Sequence, residues 1–303
     1  MADILICEVG PRDGLQNAKH LMSTEAKKRW IRALAAAGLA EIEVGSFVPA
    51  KLIPAMADTA EIVAHARTLP GVKVVALAPN LRGFERAVAA GAHKVTFPVS
   101  ASRKHSESNV RMTPEQMVDE VRRCVEARGP GGPEIEGAIS TAFGCTLQGE
   151  VPEDEVVRLA VLLAAAGVDA IPLADTVGYA NPTQVKRLFR KVRDAIGDKL
   201  EGAHFHNTRG LGLANALAAY EEGVRAFDSS MAGLGGCPFA PGASGNVITE
   251  DLVFMFESMG VRTGIDLAKL FEARRLLETA IPEEPVYGHI HAAGLPKGFR
   301  AAA

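Results

Sequence analysis

Two periods alternate along the chain. Short runs of alternating or continuous apolar residues, read as strands, fall at Ile4–Glu8, Glu41–Gly45, Val72–Ala78, His93–Pro98, Glu134–Ser140, Ala170–Asp175, Leu200–His206 and Val224–Ser229. Between them, apolar residues recur three and four positions apart over Ser23–Ala37, Ala57–Leu69, Leu81–Ala90, Thr113–Arg128, Pro152–Ala166, Pro182–Ile196 and Leu211–Glu222, the spacing of amphipathic helices. Several of these stretches carry end signals. Ser23 precedes Thr24-Glu25, Pro114 stands at a first helical position, and Gly38, Gly91 and Gly167 follow Ala-Ala pairs where a left-handed C-cap belongs. Strands each followed by a helix predict an α/β protein built as a closed parallel (β/α)8 TIM barrel. An open doubly wound sheet is the alternative, but no Gly-x-Gly-x-x-Gly follows the first strand.

After the eighth strand, Met231–Asn246 is glycine-rich and too long for a tight turn; loops of this kind are usually lids or binding loops. Two further helical patterns follow, Thr249–Met259 and Asp266–Glu278, and the tail from Pro282 carries Pro and Gly without clear periodicity. It is expected to pack on the barrel or on a partner subunit. Arg128–Pro133 reads as a plain helix-to-strand linker. A chain of 303 residues with 48% hydrophobic content can bury one large core. The expected organisation is a single domain: barrel proper over 1–230, glycine-rich active-site loop over 231–246, C-terminal helices and tail over 247–303.

Charge and cysteine content narrow the partners. A net charge of −3, with basic residues scattered among acids, shows no nucleic-acid footprint. Cys7, Cys124, Cys145 and Cys237 form no CxxC pair and no zinc-ribbon spacing, so a reduced, cytoplasmic setting is expected. The start has no basic segment ahead of a long apolar run, and no window approaches a membrane span, so neither signal peptide nor anchor is expected.

The chemistry gathers at predicted strand ends. In a strand, His204 and His206 share a face ~7 Å apart while Phe205 points the other way. Two imidazoles on one face, at a strand end and followed by Asn207-Thr208-Arg209-Gly210, favour metal ligation over packing. In a parallel barrel, chemistry sits at the C-terminal strand ends, where the first strand leads into Arg12-Asp13 and the second carries Glu43. The sixth ends at Asp175, and the eighth leads toward Cys237 and Asn246. Strands seven, eight and one are neighbours in a closed barrel, so Asp13, His204, His206 and Asn246 can converge. Singly, Asp13 also suits a turn and Asn246 an Asx turn or helix start.

That mixed oxygen and nitrogen set, without thiolate, suits a divalent ion with open positions, Mg²⁺ or Mn²⁺ first and Zn²⁺ or Co²⁺ as alternatives. Arg12 can stabilise an oxyanion, or it can form a structural ion pair with Glu8 or Glu43. Cys237 can move a proton or sense redox state, or it can be inert. Glu43 and Asp175 can orient Arg12 or the histidines, or be satisfied by solvent at the barrel mouth.

These residues resemble the hydroxymethylglutaryl-coenzyme A lyases, within the metal-dependent barrel lyases and acyl transferases that include isopropylmalate synthase. The matching stretches are Glu8–Asn17, Glu43–Val48, Pro79–Glu85, Ala174–Gly178, His204–His206 and Asp228–Asn246, in family order over most of the chain. The cysteine-containing glycine loop is the most specific of them. The resemblance implies retro-Claisen cleavage of a 3-hydroxy-3-methylglutaryl thioester to acetyl-coenzyme A and acetoacetate, a step of leucine degradation and ketone-body formation. It implies Asp13, His204, His206 and Asn246 as metal ligands, Arg12 as the substrate-carbonyl contact, and Cys237 as the loop cysteine. Cys237, His204 or water is then the proton donor to the enolate carbon.

One departure stands out: where the family usually continues His-Asp-Thr-Tyr, this chain reads His206-Asn207-Thr208-Arg209. Arg209 is therefore expected to face a substrate carboxylate or a different acyl substituent, with a related 3-hydroxy-3-substituted acyl-coenzyme A as substrate. The alternative activity is a condensing acyltransferase or aldolase-like enzyme acting on a 2-oxo acid; a silent barrel is disfavoured by the complete ligand set. Arg103–Arg111 could meet coenzyme A phosphates but reads more readily as a solvated loop, and His289-Ile-His291 as a surface tail. Extra C-terminal helices lead to the expectation of a homodimer.

Overall fold

The computed structural model of the protein describes residues 2–235 and 245–302. Eight parallel strands close into one barrel in sequence order. They are β1 (Leu5–Glu8), β2 (Glu41–Ser46), β3 (Lys73–Leu77), β4 (Lys94–Ser100), β5 (Glu134–Ser140), β6 (Leu173–Asp175), β7 (Gly202–Phe205) and β8 (Ala226–Ser229). Closure is made by β1 against β8, in register from Leu5↔Ala226 to Glu8↔Ser229. The fold is a (β/α)8 TIM barrel.

Side-chain alternation sorts each strand into two layers. Ile6, Ile42, Val74, Val95, Ile135, Leu173, Phe205 and Phe227 join the main core with the surrounding helices. On the opposite face, Cys7, Val9 and Val75 form a small apolar cluster of their own. Beside it the barrel is charged, with Glu41 paired in register to Cys7 and Lys94 to Val75: Lys94 Nζ lies 2.5 Å from Glu41 Oε1 and 3.1 Å from Glu136 Oε2. These pairs fill the stave interior where branched apolar residues are common.

The helices are α1 (Thr24–Ala36), α2 (Thr59–Ala66), α3 (Leu81–Ala90), α4 (Arg103–Val110), α5 (Pro114–Ala127), α6 (Glu153–Ala166), α7 (Pro182–Ile196) and α8 (Gly212–Glu221), followed by α9 (Thr249–Ser258), α10 (Leu267–Ala280) and α11 (His289–Ala293). Ser23 Oγ accepts from Ala26 N to start α1, and Thr113 with Gln116 forms a reciprocal capping box on α5. Gly91 and Gly167 end α3 and α6 in the left-handed region. Among the described residues no helix is long and apolar enough to cross a membrane.

Three differences from the sequence reading have local causes. β6 begins at Leu173 and not Ala170, because Pro172 has no N–H to give the ladder; Ala170 keeps an isolated bridge to Glu136. Residues 103–110 form α4 and not a loop, nucleated by Ser102 Oγ accepting from His105 N and ended by Arg111 at φ 58°. The tail also contains α11, whose first amides, His289 N and Ile290 N, donate to Asp251 on α9.

Candidate active site

The turn after β1 is built around one carbonyl. The amides of Arg12, Asp13 and Gly14 all point to Val9 O, at 3.1, 2.7 and 3.4 Å, closing a single π-type turn over Gly10–Gly14. Such wide turns recur at functional sites. Pro11 near its start has no amide to satisfy. Glu8, fully buried, fastens the turn from below: Oε1 accepts from Gly10 N at 2.9 Å and Met231 N at 2.8 Å, and Oε2 accepts from Thr249 Oγ1 at 2.6 Å. A Cβ on Gly10 would lie 2.5 Å from Glu8 Oε1, so glycine is required there by close approach. Asp13 is thereby lifted over the barrel mouth.

The imidazoles come from the end of β7, their ring centroids 5.2 Å apart. β7 itself ends at Phe205, because His206 leaves the barrel ladder and bridges Asn246 in antiparallel fashion. Asn207 N donates to Gly245 O at 3.1 Å and Val247 N to Phe205 O at 2.9 Å, which carries Asn246 to the side of His206. Asn246 Nδ2 donates to Asp13 Oδ2 at 2.7 Å and to Leu234 O at 3.1 Å. One donor atom each from Asp13, His204 and His206 lies within 4.8 Å of the others. The four side chains meet as topology requires of neighbouring strands one, seven and eight.

The donor set fits a divalent cation. His206 Nδ1 and Asn246 Oδ1 are buried without a hydrogen-bond partner among the described residues, and unpaired buried acceptors cost ~1–3 kcal/mol each. Burial opposes ionisation of Asp13, but Arg12 and the two imidazoles outweigh it and hold the carboxyl at about 2. Burial, with His204 beside it, drops His206 to about 4, leaving a neutral ring. Burial also works against charge on His204, yet the hydrogen bond and charge of Asp228 raise its pKa above the usual histidine range.

Arg12 bridges two carboxylates: Nη1 is 2.6 Å from Asp13 Oδ1 and Nη2 is 2.6 Å from Glu43 Oε2. Of the two expected structural partners, Glu43 is engaged, and Glu8 is committed to the turn. Burial pushes Glu43 up to about 7, against the pull of Arg12, and its Oε1 is buried without a partner among the described residues. Asp175 turns to its own loop, accepting from Tyr179 N at 2.8 Å and Ala180 N at 3.1 Å, and burial raises it to about 6. Arg209 stands on the rim apart from the cluster. Its Nη1 donates to Val177 O and Gly178 O, both at 3.0 Å, and its guanidinium lies over the Tyr179 ring at 4.5 Å. Cys237 lies outside the described residues.

Two residues escaped sequence reasoning. Gln16 Nε2 donates to Asp13 Oδ1 at 2.8 Å, and Asp228 Oδ2 is 3.0 Å from His204 Nδ1. The signal for Asp228 was available, because a carboxylate at the end of strand eight must lie beside the same level of strand seven. Elsewhere, Arg103 on α4 pairs with Glu115 at 2.9 Å. His291 lies 3.9 Å from Glu278 and edge-on to Phe271, so it faces helix α10, while His289 is exposed.

A carboxylate, two imidazoles and an amide oxygen at the C-terminal mouth of a parallel barrel define the class of metal-dependent barrel enzymes. Comparison with known proteins narrows that class. The model of the HMGL-like family matches residues 3–277, and the chain belongs to that family. The mitochondrial hydroxymethylglutaryl-CoA lyase of Homo sapiens is 40% identical over 278 residues, covering 92% of this chain and 86% of the relative. The hydroxymethylglutaryl-CoA lyase of Bacillus subtilis is 38% identical over 275 residues, covering 91% and 92%. Among solved structures, an HMG-CoA lyase from Acinetobacter baumannii in complex with coenzyme A and 3-methylmalate is 42% identical, with a TM-score of 0.92 over 98% of this chain and 97% of that one.

Proposed function

We propose that this protein is a carbon–carbon lyase that cleaves 3-hydroxy-3-methylglutaryl-CoA to acetyl-CoA and acetoacetate. The named activity of relatives near 40% identity across nine-tenths of the chain supports the reaction. The observation that carries the reading onto this chain is the Asp13, His204 and His206 cluster with Arg12 fixed beside it. In the reaction the tertiary alcohol loses its proton, the adjacent carbon–carbon bond breaks to give the ketone of acetoacetate, and the thioester enolate is protonated on carbon.

Each residue then has a task. When bound, the divalent cation supplies the Lewis acidity that makes the tertiary hydroxyl easier to ionise. Asp13, His204, His206 and Asn246 hold it, and the neutral His206 and ionised Asp13 are in their ligating forms at neutral pH. Arg12 presents fixed donors to the thioester oxygen as negative charge develops there. Glu43 keeps the guanidinium aimed, and its unpartnered Oε1 can hold a proton near neutrality. Asp175 secures the turn that carries Tyr179 at the rim. Cys237, His204 or water returns the proton to carbon, with Cys237 taken from the sequence alone.

The finer assignments of this reading are Mg²⁺ or Mn²⁺ as the metal, with Zn²⁺ or Co²⁺ as alternatives, and an acyl-CoA as the substrate. They include 231–246 as an active-site loop, a homodimer in the cytoplasm, and a role in leucine degradation and ketone-body formation. Arg209, held on the rim turn, faces a substrate carboxylate or a different acyl substituent in this reading, which supports testing related 3-hydroxy-3-substituted acyl-CoA substrates. The deciding assay incubates Mn²⁺-loaded protein with HMG-CoA and measures acetoacetate. Release without any added 2-oxo acid is expected. Turnover only with acetyl-CoA plus a 2-oxo acid would establish a condensing transferase and overturn the reading.

A further inference from the structure

Of the two imidazoles in the cluster, one is oriented by a carboxylate and the other is not. The register of β7 on β8 pairs His204 with Asp228, so both side chains rise from neighbouring strands at the same level on the barrel interior. Their contact is direct, Nδ1 to Oδ2 at 3.0 Å. With the carboxylate oxygen accepting, Nδ1 of His204 carries the proton, and in the neutral ring Nε2 keeps the lone pair. His206 has no such partner among the described residues: its Nδ1 is unpaired, and the ring is placed by the backbone bridge to Asn246. Arg12 directs its two terminal nitrogens at Asp13 and Glu43, each contact 2.6 Å.

We propose that Asp228 is a positioning residue for the metal centre, fixing the tautomer and ring angle of His204 so that Nε2 faces Asp13 and His206. The inference rests on the metal reading of this site. A carboxylate behind a ligating imidazole raises its donor strength and removes ring rotation that binding would otherwise have to freeze, and loss of such a partner typically lowers metal affinity ~10–100-fold. Asp228 is about one-third exposed, at 32% of its side chain, so truncating it opens no cavity in the core.

Two measurements on the full chain test this. Ring ¹⁵N shifts of His204 in the metal-free protein, recorded at a pH high enough that the ring is neutral, report the tautomer directly: the wild type is expected to show protonated Nδ1, and Asp228→Ala a mixture. Free Mn²⁺, counted by electron paramagnetic resonance during titration, gives the affinity. Asp228→Ala is expected to bind ~10–100-fold more weakly, and Asp228→Asn, which keeps an acceptor oxygen without the charge, to fall between it and the wild type. Mn²⁺ affinity in Asp228→Ala within about threefold of wild type would overturn the proposal while leaving the metal reading intact. Absence of Mn²⁺ binding by the wild type would remove that reading, and the proposal with it.

Discussion

Arg12 offers the sharpest test of how the site handles charge. Arg12→Lys keeps the positive charge but replaces a planar fork by one ammonium, which cannot span Asp13 Oδ1 and Glu43 Oε2, each 2.6 Å from a different guanidinium nitrogen. One charge-assisted contact is lost, at ~1.5–3 kcal/mol, and it falls on a carboxylate that is 3% exposed. Where the lost contact is the hydrogen bond to Glu43, burial is less opposed and pushes that carboxyl further up, toward the protonated form. The larger effect is on the developing enolate: removing one preorganised donor typically costs ~10²–10³-fold in kcat. The kcat for HMG-CoA cleavage is therefore expected to fall ~10²–10³-fold with KM within about threefold, the pattern of an interaction made in the transition state. Steady-state acetoacetate release gives both constants. If Arg12→Lys retained kcat within about fivefold of wild type, the assignment of Arg12 to the enolate oxygen would be wrong.

Three other perturbations probe the same frame. Gly235 sits at φ 100° with a would-be Cβ 2.7 Å from Asn246 Nδ2 and 3.0 Å from Asp13 O, so Gly235→Ala is expected to weaken Mn²⁺ binding by ~10-fold or more. An unchanged titration would show that Asn246 is not a ligand. Burial lifts Glu8 from 4.5 to about 8, so its protonated form is favoured by folding; that stability is full below the ordinary value and disappears as pH rises through about 8, with a ceiling of ~5 kcal/mol at ~1.4 kcal/mol per pH unit. Glu8→Gln, which resembles the protonated acid, should match wild type in urea melts at pH 5 and exceed it at pH 9; the reverse order would refute the burial argument. Chelation should lower Tm by a few degrees, reversibly with Mn²⁺, since ligand at ~100 times Kd adds ~2.7 kcal/mol. The Mn²⁺-induced shift should shrink on acidification, because protons compete for His204, whose pKa is raised; a pH-independent shift would argue against a histidine ligand.

Much of the fold was legible because each strand is bounded by turn chemistry and each helix has one apolar face. Helix α4 was not, because only His105 and Ser106 among its residues are buried, and periodicity has nothing to register in so polar a segment. The metal cluster was partly legible: His204 and His206 announce themselves by spacing, but Asp13 and Asn246 lie 233 residues apart and meet through barrel closure. Arg209 shows the limit of reading charge from sequence. The motif marks a cation, proposed to face the substrate, but does not show the carbonyls of Val177 and Gly178 to which its Nη1 donates. Asp228 shows the opposite limit, since its importance lies in a cross-strand neighbour that composition does not display.

The proposed chemistry requires one cation gripped where Asp13, His204, His206 and Asn246 converge. A crystal of the protein soaked in Mn²⁺, with anomalous scattering measured, addresses it most directly. A single strong peak is expected within ~2.0–2.3 Å of a donor atom from each of those four residues. A peak elsewhere, or none with the four side chains turned apart, would contradict it.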